Sequence, residues 1–180
     1  MIKMQEKVIL VDETDVPIGE MEKMEAHYKG LLHRAISVFV VDTNGNWLIQ
    51  QRTLEKYHSR GLWSNSCCSH PAPGETAVDA ASRRLMQEMG LKASLEHLFT
   101  FTYKALLENG LIEHETDHVF VGITDVLPRI NHHEVGDYKY ISYQKLHEDV
   151  SINPGKYSEW FKLIYQRVNT EISKKNLLTA

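Results

Sequence analysis

The stretch Ser64-Asn65-Ser66-Cys67-Cys68-Ser69-His70-Pro71 sets a thiol two residues from an imidazole in a polar, proline-bounded segment. A free cysteine usually behaves as a small buried hydrophobe. Serine, asparagine and histidine neighbours instead favour a reactive site here. Side chains two apart on a strand share a face but seldom meet head-on, so a nucleophile–base pair between Cys68 and His70 is disfavoured. If the backbone is extended, Cys67 and Cys68 point to opposite faces and only one of them lines a pocket.

Glu113-His114-Glu115 is the second such stretch. In an extended chain both carboxylates share one face and His114 takes the other. Two parallel carboxylates repel unless a cation or a shared proton lies between them; a solvated charged turn is the bland alternative. His27 and His33 flank Tyr28-Lys29-Gly30-Leu31-Leu32 and, as an isolated pair, fit surface histidines better than ligands. Three histidines (His27, His33, His70) and two carboxylates together would make a mixed nitrogen and oxygen site for Mn²⁺, Zn²⁺ or Mg²⁺. Such a site is unlike a cysteine-based structural zinc site. It should lose affinity as the pH drops below about 6.5, where free imidazole takes a proton. Arg52, Lys56, Arg60, Arg83 and Arg84 form a basic group able to grip phosphate oxygens.

These residues need elements to hold them. Residues 7–11 read as a short apolar strand, ended by the polar stretch 12–15 and then by Pro17 and Gly19. Residues 35–41 and 47–51 are two β-branched and apolar runs joined through Asn44-Gly45, a strong hairpin signal. Residues 52–62 read as a surface loop, and 64–74 as irregular on account of Pro71, Pro73 and Gly74. Ala77, Ala80, Ala81, Leu85 and Met89 fall at helical spacing, predicting a helix over 75–89 that Gly90 ends. Residues 95–106, 118–126 and 138–142 read as strands. A last helix over 156–173 carries Trp160, Ile164, Val168 and Ile172 four apart. The pattern predicts an α/β (α+β) sandwich around a mostly non-parallel sheet.

At 180 residues the chain reads as a single domain spanning 1–180. With 42% hydrophobic and 24% charged residues it has an ordinary globular mix, which excludes disorder. A net charge of −4 argues against a general nucleic-acid binder. The apolar runs are far shorter than the roughly 20 residues of a membrane span. The first residues show no apolar signal region, and two adjacent cysteines make no disulfide framework, so a cytoplasmic location is expected. Ten histidines are many for this length and suggest a metal. Nothing here fixes an oligomeric state.

The region 69–91 resembles the Nudix frame through Gly74-Glu75, Arg83 and Gln87-Glu88-Met89-Gly90-Leu91. It departs from the hydrolase signature at Ser69, Arg84 and Gln87, which stand where the signature has a glycine and two glutamates. Taken with Leu32-His33-Arg34-Ala35-Ile36-Ser37, the Cys67-Cys68 segment and the Glu-x-Glu pair, the chain resembles the type 1 isopentenyl-diphosphate isomerases from about Lys7 to beyond Trp160.

That resemblance implies a Nudix-like α/β/α sandwich around a mixed, mostly antiparallel sheet. The activity it implies is interconversion of isopentenyl and dimethylallyl diphosphate in isoprenoid biosynthesis. One divalent metal would sit on His27, His33, His70, Glu113 and Glu115, and Mg²⁺ arriving with the diphosphate would meet Glu88. Cys68 and Glu115 would be the acid/base pair, with Tyr103 beside Glu115 and Trp160 over the substrate. Lys23, Arg52, Lys56 and Arg84 would contact the diphosphate. Glu115 is expected to protonate the alkene and Cys68 to deprotonate the neighbouring carbon. The expected partner is a small isoprenyl diphosphate, with no nucleic acid and no membrane. A nucleoside-diphosphate hydrolase and a non-catalytic diphosphate-binding module are the rival classes.

Overall fold

In the computed structural model, which describes residues 6–178, the chain opens with a hairpin of β1 (Lys7–Val11) and β2 (Pro17–Glu22). Asp12 organises the turn by accepting the Thr14 and Val16 N–H groups at 2.8 and 3.0 Å. Pro17 and Gly19 do not end the strand region as expected; they belong to β2. Proline is tolerated as the first residue of a strand at a sheet edge, and β2 is such an edge, with Pro17–Glu20 exposed. The seven-residue helix α1 (Lys23–Lys29) follows. The Glu22 carboxylate caps it by accepting the Glu25 N–H, and Gly30 ends it in the left-handed region.

Strand β3 (His33–Val41) is the spine of the sheet, and the Asn44-Gly45 turn leads from it into β4 (Asn46–Arg52). Two short strands, β5 (Trp63–Ser64) and β6 (Cys67–Ser69), lie where irregular chain was expected. Helix α2 (Ala77–Met89) starts at Thr76, whose hydroxyl accepts the Asp79 N–H, and stops at Gly90. A long hairpin joins β7 (Leu95–Leu106) to β8 (Ile112–Ile123), so β8 begins six residues before the expected 118. The chain closes with β9 (Val135–Ser142), α3 (Tyr143–Ile152) and α4 (Glu159–Lys174).

β3 pairs with β8 in parallel over its whole length, and β6 pairs with it on the other side. Every other strand pairing among the described residues is antiparallel, so the sheet is mixed and mostly antiparallel. Strand alternation splits the core into two layers. Ile36, Val38, Val40 and Cys67 pack with Ala80, Ala81, Leu85 and Met89 of α2. Phe39, Val41, Val119 and Val121 pack with Trp160, Phe161, Ile164 and Val168 of α4. The result is helix, sheet, helix. Among the described residues no helix is long and apolar enough to cross a membrane.

Candidate active site

The α4 side of the sheet turns polar at one end. β8 alternates, so Glu113, Glu115 and Asp117 are buried on one face while the His114 ring meets the Gly30 carbonyl on the other. β3 sets His33 in register with Glu115. α1 delivers His27, and β6 leads into His70. The cavity formed there is lined by Cys68, His70, Tyr103, Glu113, Glu115 and Trp160, with Lys23, Arg52, Lys56 and Arg84 completing its wall.

Three imidazoles converge on one carboxylate oxygen. Glu115 Oε1 lies 2.9 Å from His70 Nε2, 3.5 Å from His33 Nε2 and 4.0 Å from His27 Nε2. The backbone sets two of the tautomers. His27 Nδ1–H donates to the Lys23 carbonyl at 2.7 Å, and His33 Nδ1–H donates to the Leu31 carbonyl at 2.8 Å. Each ring therefore turns its Nε2 lone pair inward. His27 Nε2 is buried without a hydrogen-bond partner. A lone pair left buried in that way, facing a carboxylate, fits a cation. His27, His33, His70 and Glu115 form a group that could hold a metal ion. Glu113 stands slightly apart, in a second group with His27 and His58.

Burial governs the charges here. It pushes His70 down to about 3 despite its hydrogen bond with Glu115, and it pushes His58, with help from the Arg52 charge, down to about 2. Protons therefore compete for His70 only far below the expected 6.5. Burial also works to raise Glu115, but the hydrogen bonds with His33 and His70 outweigh it and hold this carboxyl well below its ordinary range. Burial, then the neighbouring Glu115 charge, drives Glu113 the other way. The Tyr103 hydroxyl is 2.9 Å from Glu113 Oε2 and 2.7 Å from Glu115 Oε2, so it ties the two carboxyl groups together.

The two thiols part as strand alternation requires. Cys67 is fully buried in the α2 layer, whereas Cys68 faces the cavity opposite Ser37 of β3. Burial pushes the Cys68 thiol up to about 12, partly offset by the guanidinium of Arg52, whose Nη1 lies 3.8 Å from Sγ.

The basic residues come engaged. Arg52 donates to the His58 and Ser59 carbonyls and lies 5.1 Å from the Trp160 ring. Lys23 pairs with Glu6 at 2.7 Å, Lys56 pairs with Glu134, and Arg84 pairs with Glu88 at 2.6 Å and Glu134 at 3.3 Å. Glu88 is thus held by Arg84 and by Gln50 Nε2, outside the histidine group.

The expected surface loop 52–62 is instead partly interior, with Arg52, Thr53, His58 and Ser59 buried. Its polar composition hid this, since a buried polar loop and a solvated one read alike. Glu134 was also missed, and it carries no motif to betray it. Asn65 belongs to the Ser64–Pro71 stretch, where its residue type alone assigns it no role. Its Oδ1 accepts from the Trp160 indole at 3.1 Å, while its Nδ2 donates to the Cys67 carbonyl at 2.6 Å. One side chain thereby orients both the indole and the thiol-bearing strand.

A family model for the NUDIX domain matches residues 31–161. A solved structure from Deinococcus radiodurans superposes with a TM-score of 0.75 at 17% identity, covering 89% of this chain and 98% of that one. Fold and match together define a Nudix-domain protein. The sequence is also 52% identical over 162 residues, 90% of each chain, to isopentenyl-diphosphate Delta-isomerase of Pectobacterium atrosepticum. It is 50% identical over 161 residues to isopentenyl-diphosphate Delta-isomerase 2 of Photorhabdus laumondii, covering 89% of this chain and 91% of that one. The chain belongs to the isopentenyl-diphosphate Delta-isomerase family.

Proposed function

We propose that this chain is an isomerase that interconverts isopentenyl diphosphate and dimethylallyl diphosphate in isoprenoid biosynthesis. The observation that carries the reading is a single cavity holding a thiol, Cys68, and a carboxyl–phenol pair, Glu115 and Tyr103. Cys68 comes from β6 and Glu115 from β8, the strands on either side of β3, and Tyr103 stands opposite Glu115 on β7. Moving a double bond requires a proton delivered at one carbon and another removed nearby. An unactivated alkene is a weak base, and the tertiary cation formed from it must be kept from water.

Cys68 and Glu115 act as the acid/base pair, one giving a proton as the other takes one, and the roles exchange in the back reaction. Tyr103 orients Glu115 through Oε2, and Arg52 steadies the thiolate form of Cys68. Trp160, fixed by Asn65, faces the cavity and suits a cation–π contact of about 2 kcal/mol when desolvated.

We assign one divalent cation, Mn²⁺, Zn²⁺ or Mg²⁺, to His27, His33, His70 and Glu115, with Glu113 as the fifth ligand. When bound, it supplies positive charge that keeps the Glu115 carboxylate ionised and oriented. Lys23, Arg52, Lys56 and Arg84 bind the diphosphate, with Lys23, Lys56 and Arg84 exchanging acidic partners for phosphate oxygens, and Glu88 would hold the Mg²⁺ that accompanies it. Two free cysteines suit a reducing compartment, in keeping with a cytoplasmic location.

One assay tests the reading. Isopentenyl diphosphate with Mg²⁺ should yield dimethylallyl diphosphate and no released phosphate. Phosphate release would favour a hydrolase, and no product a binding module; either result would overturn the isomerase assignment.

A further inference from the structure

The 52–62 loop has the composition of a solvated surface, yet it sends one histidine into the site. His58 is 3% exposed, and its ring meets those of Tyr57 and Trp160 edge-on at centroid distances of 4.3 and 5.8 Å. The backbone is held to put it there. Arg52 donates to the His58 carbonyl at 3.1 Å and the Ser59 carbonyl at 3.2 Å, and the Glu108 carboxylate accepts the Ser59 N–H. Ser59 itself has φ 50°, a left-handed conformation uncommon for a residue other than glycine. Local strain that the surroundings clamp in this manner points to a side chain whose direction matters.

We propose that His58 is a positioning residue for the carboxylate of Glu113. This rests on the assignment of Glu113 as a metal ligand made above. His58 Nε2 lies 3.3 Å from Glu113 Oε1, and His58 Nδ1 lies 3.1 Å from the Ser59 hydroxyl. With the cation bound, Glu113 is a carboxylate and only accepts, so His58 Nε2 carries the ring proton and Nδ1 accepts from the Ser59 hydroxyl. The Tyr103 hydroxyl, whose single proton is shared with Glu115 Oε2 at 2.7 Å, lies 2.9 Å from the other Glu113 oxygen, Oε2. Glu113 is thereby gripped at both oxygens, which fixes the plane of its carboxylate and leaves further lone pairs for a cation. A neutral imidazole suits the task because it adds no positive charge beside the ion.

The same atoms raise another use of His58, as a ligand with His27 and Glu113 to a second ion. The geometry disfavours it. His27 has one inward lone pair, which the first group already uses, and His58 Nε2 faces the Glu113 oxygen at hydrogen-bond range.

The test is titration of the metal-stripped full chain with Mn²⁺ alone, with free Mn²⁺ counted by electron paramagnetic resonance. Wild type should bind one ion. His58→Ala should weaken binding by about 10–100-fold, the usual effect of removing a group that orients a ligand. His58→Gln, which offers an amide N–H at similar reach, should restore most of it. Glu55→Ala, on the exposed part of the same loop, should leave the affinity unchanged. Equal affinity in wild type and His58→Ala would overturn the proposal, as would two ions in wild type falling to one. Equal losses in Glu55→Ala and His58→Ala would trace the effect to the loop and overturn it too. If wild type binds no Mn²⁺, the metal assignment itself fails and this inference falls with it.

Discussion

Cys67 and Cys68 carry the same side chain and differ in which face of β6 they occupy. Cys67 packs against α2, fully buried; Cys68 opens onto the cavity beside Arg52. Cys68→Ala should therefore lower turnover by about 10²–10⁴-fold, the range for losing a general acid or base. Cys67→Ala should keep turnover and lower stability by about 1 kcal/mol. Steady-state rates and urea midpoints on both variants check this, and the opposite pattern in two folded proteins would shift the assignment to Cys67. The metal group makes its own demand. His70 Nε2 is the imidazole nitrogen nearest Glu115 Oε1, so His70→Ala should lose bound metal and activity together. Metal analysis of the purified variant decides it: stoichiometric metal with unchanged turnover would remove His70 from the site.

At the scale of elements, the sequence announced what was periodic and concealed what was short. α2 and β7 were legible because thirteen and twelve residues repeat their pattern often enough to register. α1 buries only Ala26 and His27, and α3 only Leu146 and Val150, so neither shows an apolar stripe. β5 and β6 are two and three residues long, held by pairing with β4 and β3 rather than by any preference of their own. The same rule governs the site. Glu113 and Glu115 could be read from alternation along a strand, whereas His58 depends on Arg52 and Glu108 closing a loop across the fold. Gly90 was expected to end α2, and the structure adds a second demand on it. Its φ is +65°, and a Cβ there would lie 2.6 Å from the Arg129 carbonyl oxygen. That segment also donates from Arg129 and Asn131 to the Met89 and Glu88 carbonyls, which satisfies the end of the helix. Gly90→Ala should destabilise the protein by about 1–3 kcal/mol. A urea midpoint equal to that of wild type would contradict this account.

For the molecule as a whole, gathering so many ionisable groups on one face of a sheet makes stability depend on pH in opposed ways. His58 and His70 are held neutral down to about 2 and 3. The unfolded chain protonates them below about 6.5, so it binds more protons there, and stability falls as the pH drops from that value. Asp117 has the opposite sign. Burial, then the Glu115 charge, raises it to about 8 although the Ser37 hydroxyl donates to Oδ2 at 2.7 Å. Between about 3.8 and 8 the folded protein keeps a proton that the unfolded chain has released, and this stabilisation of the unfolded side grows as the pH rises. Above 6.5 the histidines no longer contribute and the Asp117 effect stands clear of theirs. At up to about 1.4 kcal/mol per pH unit, it should cost about 2 kcal/mol between pH 6 and 8. Asp117→Asn keeps the shape of the neutral acid without its proton. Melting curves of metal-stripped protein should therefore show the variant gaining several degrees more over wild type at pH 8 than at pH 6. His70→Ala should instead flatten the acid side below pH 6.5, because it removes one imidazole that the unfolded chain alone would protonate. If Asp117→Asn shifts the melting temperature by the same amount at every pH, Asp117 is already ionised in the fold and the buried proton assigned to it is absent.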